Sequence, residues 1–410
     1  MGSNRAEEAY AKALTLGGRA GLNCVAELDP AYVVPEESSL PLYGVPVLVK
    51  DNIDVKGLHT TAGSLALADN LAAEDAPVVG NLRRSGAAIL GKANLTEFAN
   101  YVDPAMPAGY SSRGGQVLPA VPGAYPGGSS TGSAVAVAAG IVPMAVGTDT
   151  SHSVTACAKF NGICGLKPPA GALSQKGIVP IALTLDSAGA LAASFGDALK
   201  LLAAMGGEGF EAPEPRPAGK LKLAVNTANG AMLPADEADF LRRTLERLRS
   251  AGGTVEELSQ PRAPQLATIM KYEFRPSLEA YLRTSAASRK TLAEILAYYE
   301  AHPGIMMKYG VSLLREALDR TPGGLGSPEY RAALLTRAEA VTRVKGELTG
   351  FDAAIMTGPT NVMHFCGLPS ATVASSEKDG LGVNRCLILY GAEEYRLYPA
   401  ALAIEGLIRT

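Results

Sequence analysis

Residues 75–102, "DAPVVGNLRRSGAAILGKANLTEFANYV", alternate between the two kinds of element that build an α/β protein. The pattern predicts a helix, a short buried strand at Ala88–Leu90, and a second helix with Asn94 as N-cap and Glu97 three residues later. Strands that alternate with helices favour a largely parallel sheet covered by helices. We therefore predict an α/β fold, with a mixed, mostly parallel β-sheet and helices on both of its faces.

The flanking segments extend this pattern. Val45–Val49 is a short, β-branched-rich run that ends at Lys50 in a polar turn, which is typical of a buried strand. Further on, the sequence predicts a helix of very small residues after a glycine–serine turn, and then a strand at Val142–Val146. Residues 184–207 have the pattern of an amphipathic helix that ends at two glycines.

The second half of the chain changes in character. From Glu208 to Gly350, a Pro/Glu-rich link at 208–218 precedes long charged helical stretches, with a strand at "KLKLAVN". We interpret this part as variable and mainly helical rather than as a second catalytic domain. The stretches "FDAAIMTGPTN", "LPSATVA" and "NRCLILYG" predict strands that rejoin the first sheet, and residues 392–408 predict a closing helix.

Composition excludes several classes of protein. The net charge is -3 and no run of five basic residues occurs, so nucleic acid is not an expected partner. The five cysteines form no CxxC pair and no zinc spacing is found, which predicts buried free thiols and no metal. The longest apolar run, Ala134–Gly147, is shorter than the roughly 20 residues needed to span a membrane. The first residues lack the apolar core of a signal peptide, so we expect a cytoplasmic protein.

The common nucleophile motifs fail on context. Residues 128–132, "GSSTG", fit GxSxG, but no strand precedes the serine as that motif requires. The same stretch lacks the lysine of a phosphate-binding loop. Residues 375–378 fit SxxK, but they lie in a polar turn and no KTG follows. None of these motifs therefore predicts the chemistry.

A histidine lies beside a serine in "GTDTSHSVT", residues 147–155. Neighbouring side chains of an extended segment point to opposite faces, so His152 is badly placed to act as base for Ser153. A base has to reach the hydroxyl at roughly 2.6–3.2 Å. The remaining histidines have no motif context and are expected to be surface or core residues: His59, His302 and His364.

Lys50 offers a different base. A lone lysine followed by Asp51 is by default a surface ion pair. Here "VPVLVKDNI", residues 45–53, surrounds it with apolar side chains. Desolvation disfavours the charged form of a lysine, so a neutral amine near pH 7 becomes available as a base.

These residues resemble the amidase signature family of hydrolases. The resemblance rests on "GVPVLVKDNIDVKG" at 44–57, "TTAGS" at 60–64, "PGGSSTGSAVAVAAG" at 126–140, and "VGTDTSHSV" followed by "CGLKPPAG". The 24-residue spacing from Ser129 to Ser153 is also the family's. The stretch "AGYSSRGGQV", residues 108–117, is similar to the branch that includes peptide amidases.

The resemblance implies one amidase signature domain over residues 1–410. Its core would be residues 40–205 and 350–408, and its variable part residues 206–350. It also implies a single polypeptide enzyme that needs no cofactor and no metal, and it gives no oligomeric state.

The same resemblance implies a Ser-Ser-Lys triad. Ser153 would attack an amide carbonyl, Ser129 would relay its proton and Lys50 would accept it, with an acyl-enzyme as intermediate. The Gly128–Ser129 peptide bond would be cis. The oxyanion hole would consist of four backbone N–H groups, those of Thr150, Ser151, His152 and Ser153.

This chain departs from the family at the nucleophile. The usual GTDTGGSxR has glycines where this chain has Ser151 and His152, and an arginine where it has Thr155. Glycine tolerates a positive φ and leaves room for substrate, so larger residues narrow the acyl pocket. His152 is therefore a substrate-binding candidate. Loss of the arginine favours small neutral substrates over acidic ones.

Three alternatives stay open. The bond could belong to a carboxamide, an aryl amide or a carbamate, the last making the enzyme a urethanase. The chain could instead be one component of an amidotransferase, supplying ammonia to a partner. Because the glycines are lost, it could also be a non-catalytic homologue.

Overall fold

The computed structural model describes residues 2–36, 38–207, 213–228 and 233–410. The strands in these ranges are β1 (Val25–Leu28), β2 (Pro46–Lys50), β3 (Ala88–Ala93), β4 (Tyr110–Ser111), β5 (Gly115–Gln116), β6 (Met144–Asp149), β7 (Cys164–Lys167), β8 (Ser187–Ala192), β9 (Lys222–Asn226), β10 (Thr254–Leu258), β11 (Ala353–Met356), β12 (Ser370–Lys378) and β13 (Asn384–Tyr390). The helices are α1 (Gly2–Thr15), α2 (Pro77–Arg84), α3 (Glu97–Asn100), α4 (Thr131–Ala138), α5 (Thr155–Asn161), α6 (Phe195–Gly206), α7 (Ala235–Ser250), α8 (Gln265–Thr284), α9 (Leu292–Ala301), α10 (Pro303–Met306), α11 (Ser312–Asp319), α12 (Pro328–Glu347), α13 (Val362–Phe365) and α14 (Glu394–Arg409).

Eleven of these strands form one sheet, in the order β1-β3-β2-β6-β8-β7-β12-β13-β11-β9-β10, and β4 pairs with β5 in a separate hairpin. The pairs β3–β2, β2–β6, β11–β9 and β9–β10 are parallel. The other pairs in the described part of this sheet are antiparallel. The predicted α/β domain with a mixed sheet is confirmed.

Helices cover both faces of the sheet, as the alternation of side chains along β2 demonstrates. Val47 and Val49 belong to a buried cluster with residues of α2, α6, α7 and α14. Leu48, which points to the other face, packs in a cluster with residues of α1, α4 and α5. Every residue of β2 is buried, so its last residue, Lys50, ends inside the protein.

The described residues between 206 and 350 are mainly helical, since they contain α7 to α12. They also give β9 and β10 to the same sheet. Helices α8, α9, α11 and α12 pack in a third buried cluster that includes Ala224 of β9 and Ala354 of β11. Part of the predicted Pro/Glu-rich link, residues 208–212, lies outside the described residues.

The second helix predicted within residues 75–102 is wrong. Segment α3 is a four-residue turn in which Phe98 and Ala99 have φ values of 45° and 53°, so it is left-handed. Thr96, not Asn94, lies at the N-cap position, and Asn94 Oδ1 instead accepts from Ser111 Oγ at 3.0 Å. Glu97 is buried, and accepts from the backbone N–H of Ser112 at 2.6 Å. Tertiary hydrogen bonds have therefore replaced the local helix pattern.

Two further elements differ from the sequence prediction. Residues 184–207 are not one helix, because β8 occupies Ser187–Ala192 and α6 begins only at Phe195. The small residues of "SAGALA" have neither helical nor strand periodicity. Pairing with β6 and β7 therefore determines that this segment is a strand. The strand predicted at Val142–Val146 is shifted, since β6 spans Met144–Asp149.

Two features are absent from the described ranges. No helix there combines the length and the apolar character needed to cross a bilayer. The same ranges contain no group of three or more His, Cys, Asp or Glu side chains arranged to hold a metal ion.

Candidate active site

Lys50 lies at the carboxyl end of β2, and no part of its side chain is exposed. Its Nζ is 2.8 Å from Ser129 Oγ and 2.8 Å from Thr148 Oγ1. Thr148 Oγ1 also accepts from Asn52 Nδ2 at 3.0 Å. The lysine of the first motif and the first serine of the second are thus in direct contact, although 79 residues separate them.

Burial lowers the pKa of Lys50 to about 7, because the charged ammonium loses its hydration. The negative charges of Asp149 and Asp186 act in the opposite direction, favouring the ammonium, but they do not outweigh desolvation. The neutral amine is therefore accessible near pH 7. A neutral amine 2.8 Å from a hydroxyl can accept its proton.

Ser129 is held in place by an unusual backbone. The Gly128–Ser129 peptide bond is cis, as the family resemblance implied. A Cβ at position 128 would lie 2.8 Å from Thr96 Oγ1, so only glycine fits there. Thr96 Oγ1 in turn accepts from the backbone N–H of Gly109 at 2.8 Å, and the Thr96 N–H donates to Ser129 O at 3.1 Å.

Ser153 lies in the loop that joins β6 to α5. The backbone N–H of Ser130 donates to Ser153 O at 3.4 Å, which brings the two serine-containing loops together. Ser153 is 8% exposed, whereas Ser129 is completely buried. Among the residues described, no acceptor within the protein is found for the backbone N–H groups of Thr150, Ser151 or Ser153.

Two buried carboxylates fix this loop from either side. Asp186 Oδ1 accepts from Thr150 Oγ1 at 2.6 Å, and burial raises the pKa of Asp186 to about 7. Asp149 Oδ2 accepts from the backbone N–H groups of Val154 at 2.7 Å and Thr155 at 3.2 Å, at the start of α5. The position of the loop that carries Ser153 is therefore set by side chains on both of its flanks.

His152 has a φ of 71°, in the left-handed region that favours glycine. Its ring packs on the ring of His364, with centroids 4.1 Å apart. In the described chain, His152 Nδ1 has no hydrogen-bond partner. Desolvation and the neighbouring His364 lower the pKa of His152 to about 3, so it is neutral at physiological pH. These contacts agree with the expectation that His152 is not the base for Ser153.

His364 is one of the site residues that the sequence analysis did not single out, together with Thr148, Asp149 and Asp186. It is completely buried, and its Nε2 lies 3.1 Å from Asp149 Oδ1 and 3.1 Å from the backbone nitrogen of His152. It lies 212 residues from His152 in the chain, in the short helix α13. No motif in the sequence around it marks it as part of the site.

The loop 101–112 reaches the same region. A Cβ at Gly128 would lie 3.2 Å from Ala108 Cβ, so this loop borders the Ser129 turn. Tyr110, two residues further on, packs edge-to-face on Tyr309 with ring centroids 4.8 Å apart. Lys308 Nζ lies 5.3 Å from the centre of the Tyr110 ring. The helical part of the chain thus meets the loop beside the site.

Comparisons with known proteins identify the family of this chain. A model of the amidase family matches residues 20–363. An Arabidopsis thaliana protein named "Probable amidase" is 37% identical over 401 residues, which cover 88% of this chain and 78% of that protein. A glutamyl-tRNA(Gln) amidotransferase component from Thermus thermophilus is 30% identical over 436 residues, which cover 94% of this chain and 90% of that protein.

A solved structure is similar over the whole chain. The peptide amidase of Stenotrophomonas maltophilia superposes with a TM-score of 0.87 and 29% identity, covering 100% of this chain and 94% of that one. The fold is therefore the amidase signature fold. This chain belongs to the amidase family, and it is an amidase enzyme, as the sequence resemblance implied.

Proposed function

We propose that this amidase hydrolyses the C–N bond of a small neutral amide through a Ser-Ser-Lys triad formed by Ser153, Ser129 and Lys50. The observation that carries the proposal is the 2.8 Å contact between a completely buried lysine amine and the Ser129 hydroxyl. Lys50 and Ser129 are completely buried, whereas Ser153 is partly exposed. That order suits a base inside the protein, a relay and a nucleophile that meets the substrate.

The proton path follows from this order. Ser129 donates its hydroxyl proton to the neutral Lys50 amine and takes the proton of Ser153, whose oxygen attacks the carbonyl carbon. The tetrahedral intermediate collapses to an acyl-enzyme, and the protonated Lys50 returns a proton through Ser129 to the leaving nitrogen. Water then repeats the sequence and releases the carboxylic acid. Each proton is thus borrowed and returned, and no cofactor or metal is required.

The backbone N–H groups at Thr150, Ser151, His152 and Ser153 are the proposed oxyanion hole. Three of them lack an acceptor within the described chain, which leaves them available to a developing oxyanion. Removing a single donor of this kind costs about 10²- to 10³-fold in rate in a serine protease. The fourth, from His152, faces His364.

The substrate is proposed to be neutral and small, with the ring of His152 narrowing the acyl pocket. The family's arginine position holds Thr155, which is buried at the start of α5 and cannot pair with a carboxylate of the substrate. The similarity to a peptide amidase supports placing this chain in the peptide-amidase-like branch. In this proposal the loop 101–112 and the helical part of the chain lie beside the leaving group. We propose a cytoplasmic location and no nucleic-acid partner.

A substrate panel tests the proposed bond class. The panel contains a neutral carboxamide with a small and with a bulky acyl group, a neutral peptide amide, an anilide, a carbamate and an acidic amide. We expect the neutral amides to be hydrolysed fastest and the acidic amide slowest, measured as kcat/KM. His152→Gly is expected to change the ranking toward bulkier acyl groups while Ser153 stays reactive. An unchanged rate and ranking in that variant would remove His152 from the substrate site, and best turnover of the acidic amide would contradict the proposed substrate.

The pH dependence follows from the lysine. Only the neutral amine is a base, so kcat/KM should rise with pH through a midpoint at about 7 and fall by about tenfold for each unit below it. Asp186 also has a pKa raised to about 7, so the same profile has to be recorded on a Lys50 variant. A profile that stays flat down to pH 5 would contradict the neutral-lysine base.

The amidotransferase relative motivates a second candidate function, the supply of ammonia to a partner enzyme. In that case glutamine would be the only efficient ammonia donor and the chain would copurify with its partner. Glutaminase assays on the purified protein, with the neutral carboxamide as the competing substrate, distinguish the two functions.

A further inference from the structure

One ring nitrogen of His364 lies between a hydrogen-bond acceptor and a hydrogen-bond donor. Its Nε2 lies 3.1 Å from Asp149 Oδ1, a buried acceptor that has no hydrogen-bond partner among the described residues, and 3.1 Å from the backbone nitrogen of His152, whose N–H points at it. A ring nitrogen either carries a proton and donates, or lacks one and accepts, and it cannot do both at once. The location of the His364 proton therefore decides which of the two groups is left without a partner.

The charge of Asp149 decides between these states. Asp149 Oδ2 accepts from the backbone N–H groups of Val154 and Thr155, which favours the anion. The surroundings also lower the pKa of Asp149 well below its usual range against the effect of burial, so this carboxylate is anionic. A hydrogen bond to a carboxylate is about twice as strong as one between neutral groups. A bare Nε2 would also place a lone pair against a buried anion. The state with the proton on Nε2, donated to Asp149, is the more stable one.

A proton on His364 Nε2 affects the proposed oxyanion hole. When Nε2 donates to Asp149, the His152 N–H loses its acceptor and joins the three free N–H groups of the same loop. An unpaired donor in a buried loop is costly in the resting protein and regains its hydrogen bond when an oxyanion forms. Such a donor stabilises the transition state without stabilising bound substrate.

We infer that His364 is a positioning residue of this amidase: it carries a proton on Nε2, holds it on Asp149, and so keeps the His152 N–H free for the oxyanion. The inference rests on the proposed function and deepens it. A proton on Nε2 also satisfies Asp149 Oδ1, a buried acceptor with no other partner among the described residues, which would otherwise compete for the His152 N–H.

Nuclear magnetic resonance of the resting protein reads the proton directly. The chain has only four histidines, so ¹⁵N-histidine labelling gives four sets of ring signals, and the set that disappears in His364→Gln belongs to His364. We expect a proton on Nε2, in either the neutral or the doubly protonated ring. A bare Nε2 with the proton on Nδ1 would overturn the inference. This readout does not depend on enzyme activity, so it stands even if the proposed function fails.

Kinetics of matched variants test the consequence. His364→Leu removes the one nearby donor that Asp149 Oδ1 has among the described residues, so Oδ1 can take the His152 N–H. We therefore expect kcat to fall by about 100-fold, the cost of one oxyanion donor, with KM changed by less than about threefold. His364→Gln can still present an N–H to Asp149 and should stay within about fivefold of the wild type in kcat. An unchanged or higher kcat in His364→Leu would show that His364 had been withdrawing the His152 N–H from the hole, and would overturn the inference.

A second variant background separates the effect of the His152 backbone N–H from that of the His152 ring. His152→Gly deletes the ring that packs on His364 but keeps the backbone N–H. The effect of His364→Leu should persist in this background, because the inference concerns the N–H. Loss of the effect there would assign the role to ring packing and overturn the inference. A wild type with no amidase activity against any substrate would count against the proposed function instead.

Discussion

Ser153→Ala is expected to lower kcat by about 10⁴-fold or more, because loss of the nucleophile removes the covalent route and leaves only binding and oxyanion stabilisation. The fold should be retained, since the substitution removes a single hydroxyl from a loop residue that is 8% exposed. Steady-state kinetics on the best substrate of the panel, with circular dichroism as a check on folding, give the measurement.

Ser151→Ala is the matched control for that variant. It removes a hydroxyl two residues away in the same loop and leaves the backbone N–H groups in place, so we expect kcat within about threefold of the wild type, as for a surface change. Comparable losses in both variants would mean that the loop, not the Ser153 hydroxyl, had been damaged. Full activity of Ser153→Ala would refute the nucleophile. Failure of the wild type to react with a phosphonofluoridate at Ser153 would favour a non-catalytic homologue.

Lys50→Met is expected to lower kcat/KM by about 10²- to 10⁴-fold, the usual contribution of a general base. Methionine nearly preserves the length and volume of the buried stem while it removes the amine that touches Ser129. The rise of activity with a midpoint at about pH 7 should disappear together with the amine. Kinetics across a pH range on both sides of that midpoint measure both effects.

Lys92→Met controls for the removal of a buried lysine as such. Lys92 is equally buried on the neighbouring strand β3, and its Nζ donates to Ile53 O at 2.6 Å and lies 3.5 Å from Asp51 Oδ1. Because it stabilises a buried carboxylate and contacts no triad residue, its loss should lower the melting temperature and leave the pH midpoint unchanged. If the pH midpoint of activity also disappeared in Lys92→Met, the ionisation could not be assigned to Lys50.

The parts of this site that short sequence windows encode were predictable. The strand before Lys50 is a continuous apolar run, and the turn around Ser129 is marked by consecutive glycines. The structure places that lysine and that serine in contact, as their motifs implied. Local pattern and motif spacing succeed where the geometry is enforced by the residues of the motif itself.

The rest depended on contacts between distant parts of the chain. Glu97 has a helix-starting pattern, yet its carboxylate is bonded to Ser112 and the segment turns left-handed. The residues of β8 have no diagnostic period and became a strand through pairing. His364 lies in a segment without any motif, and only the fold brings it beside Asp149 and His152. Patterns within one sequence do not predict contacts between residues so far apart in the chain.

The rate at which a phosphonofluoridate modifies Ser153, measured against pH in the wild type and in Lys50→Met, tests the central claim most directly. Fluoride leaves without needing a proton, so this rate reports activation of the serine alone. A neutral Lys50 predicts a wild-type rate that rises with a midpoint at about pH 7, and a slow, pH-independent rate in the variant. The same midpoint in both proteins would contradict the assignment of Lys50 as the base.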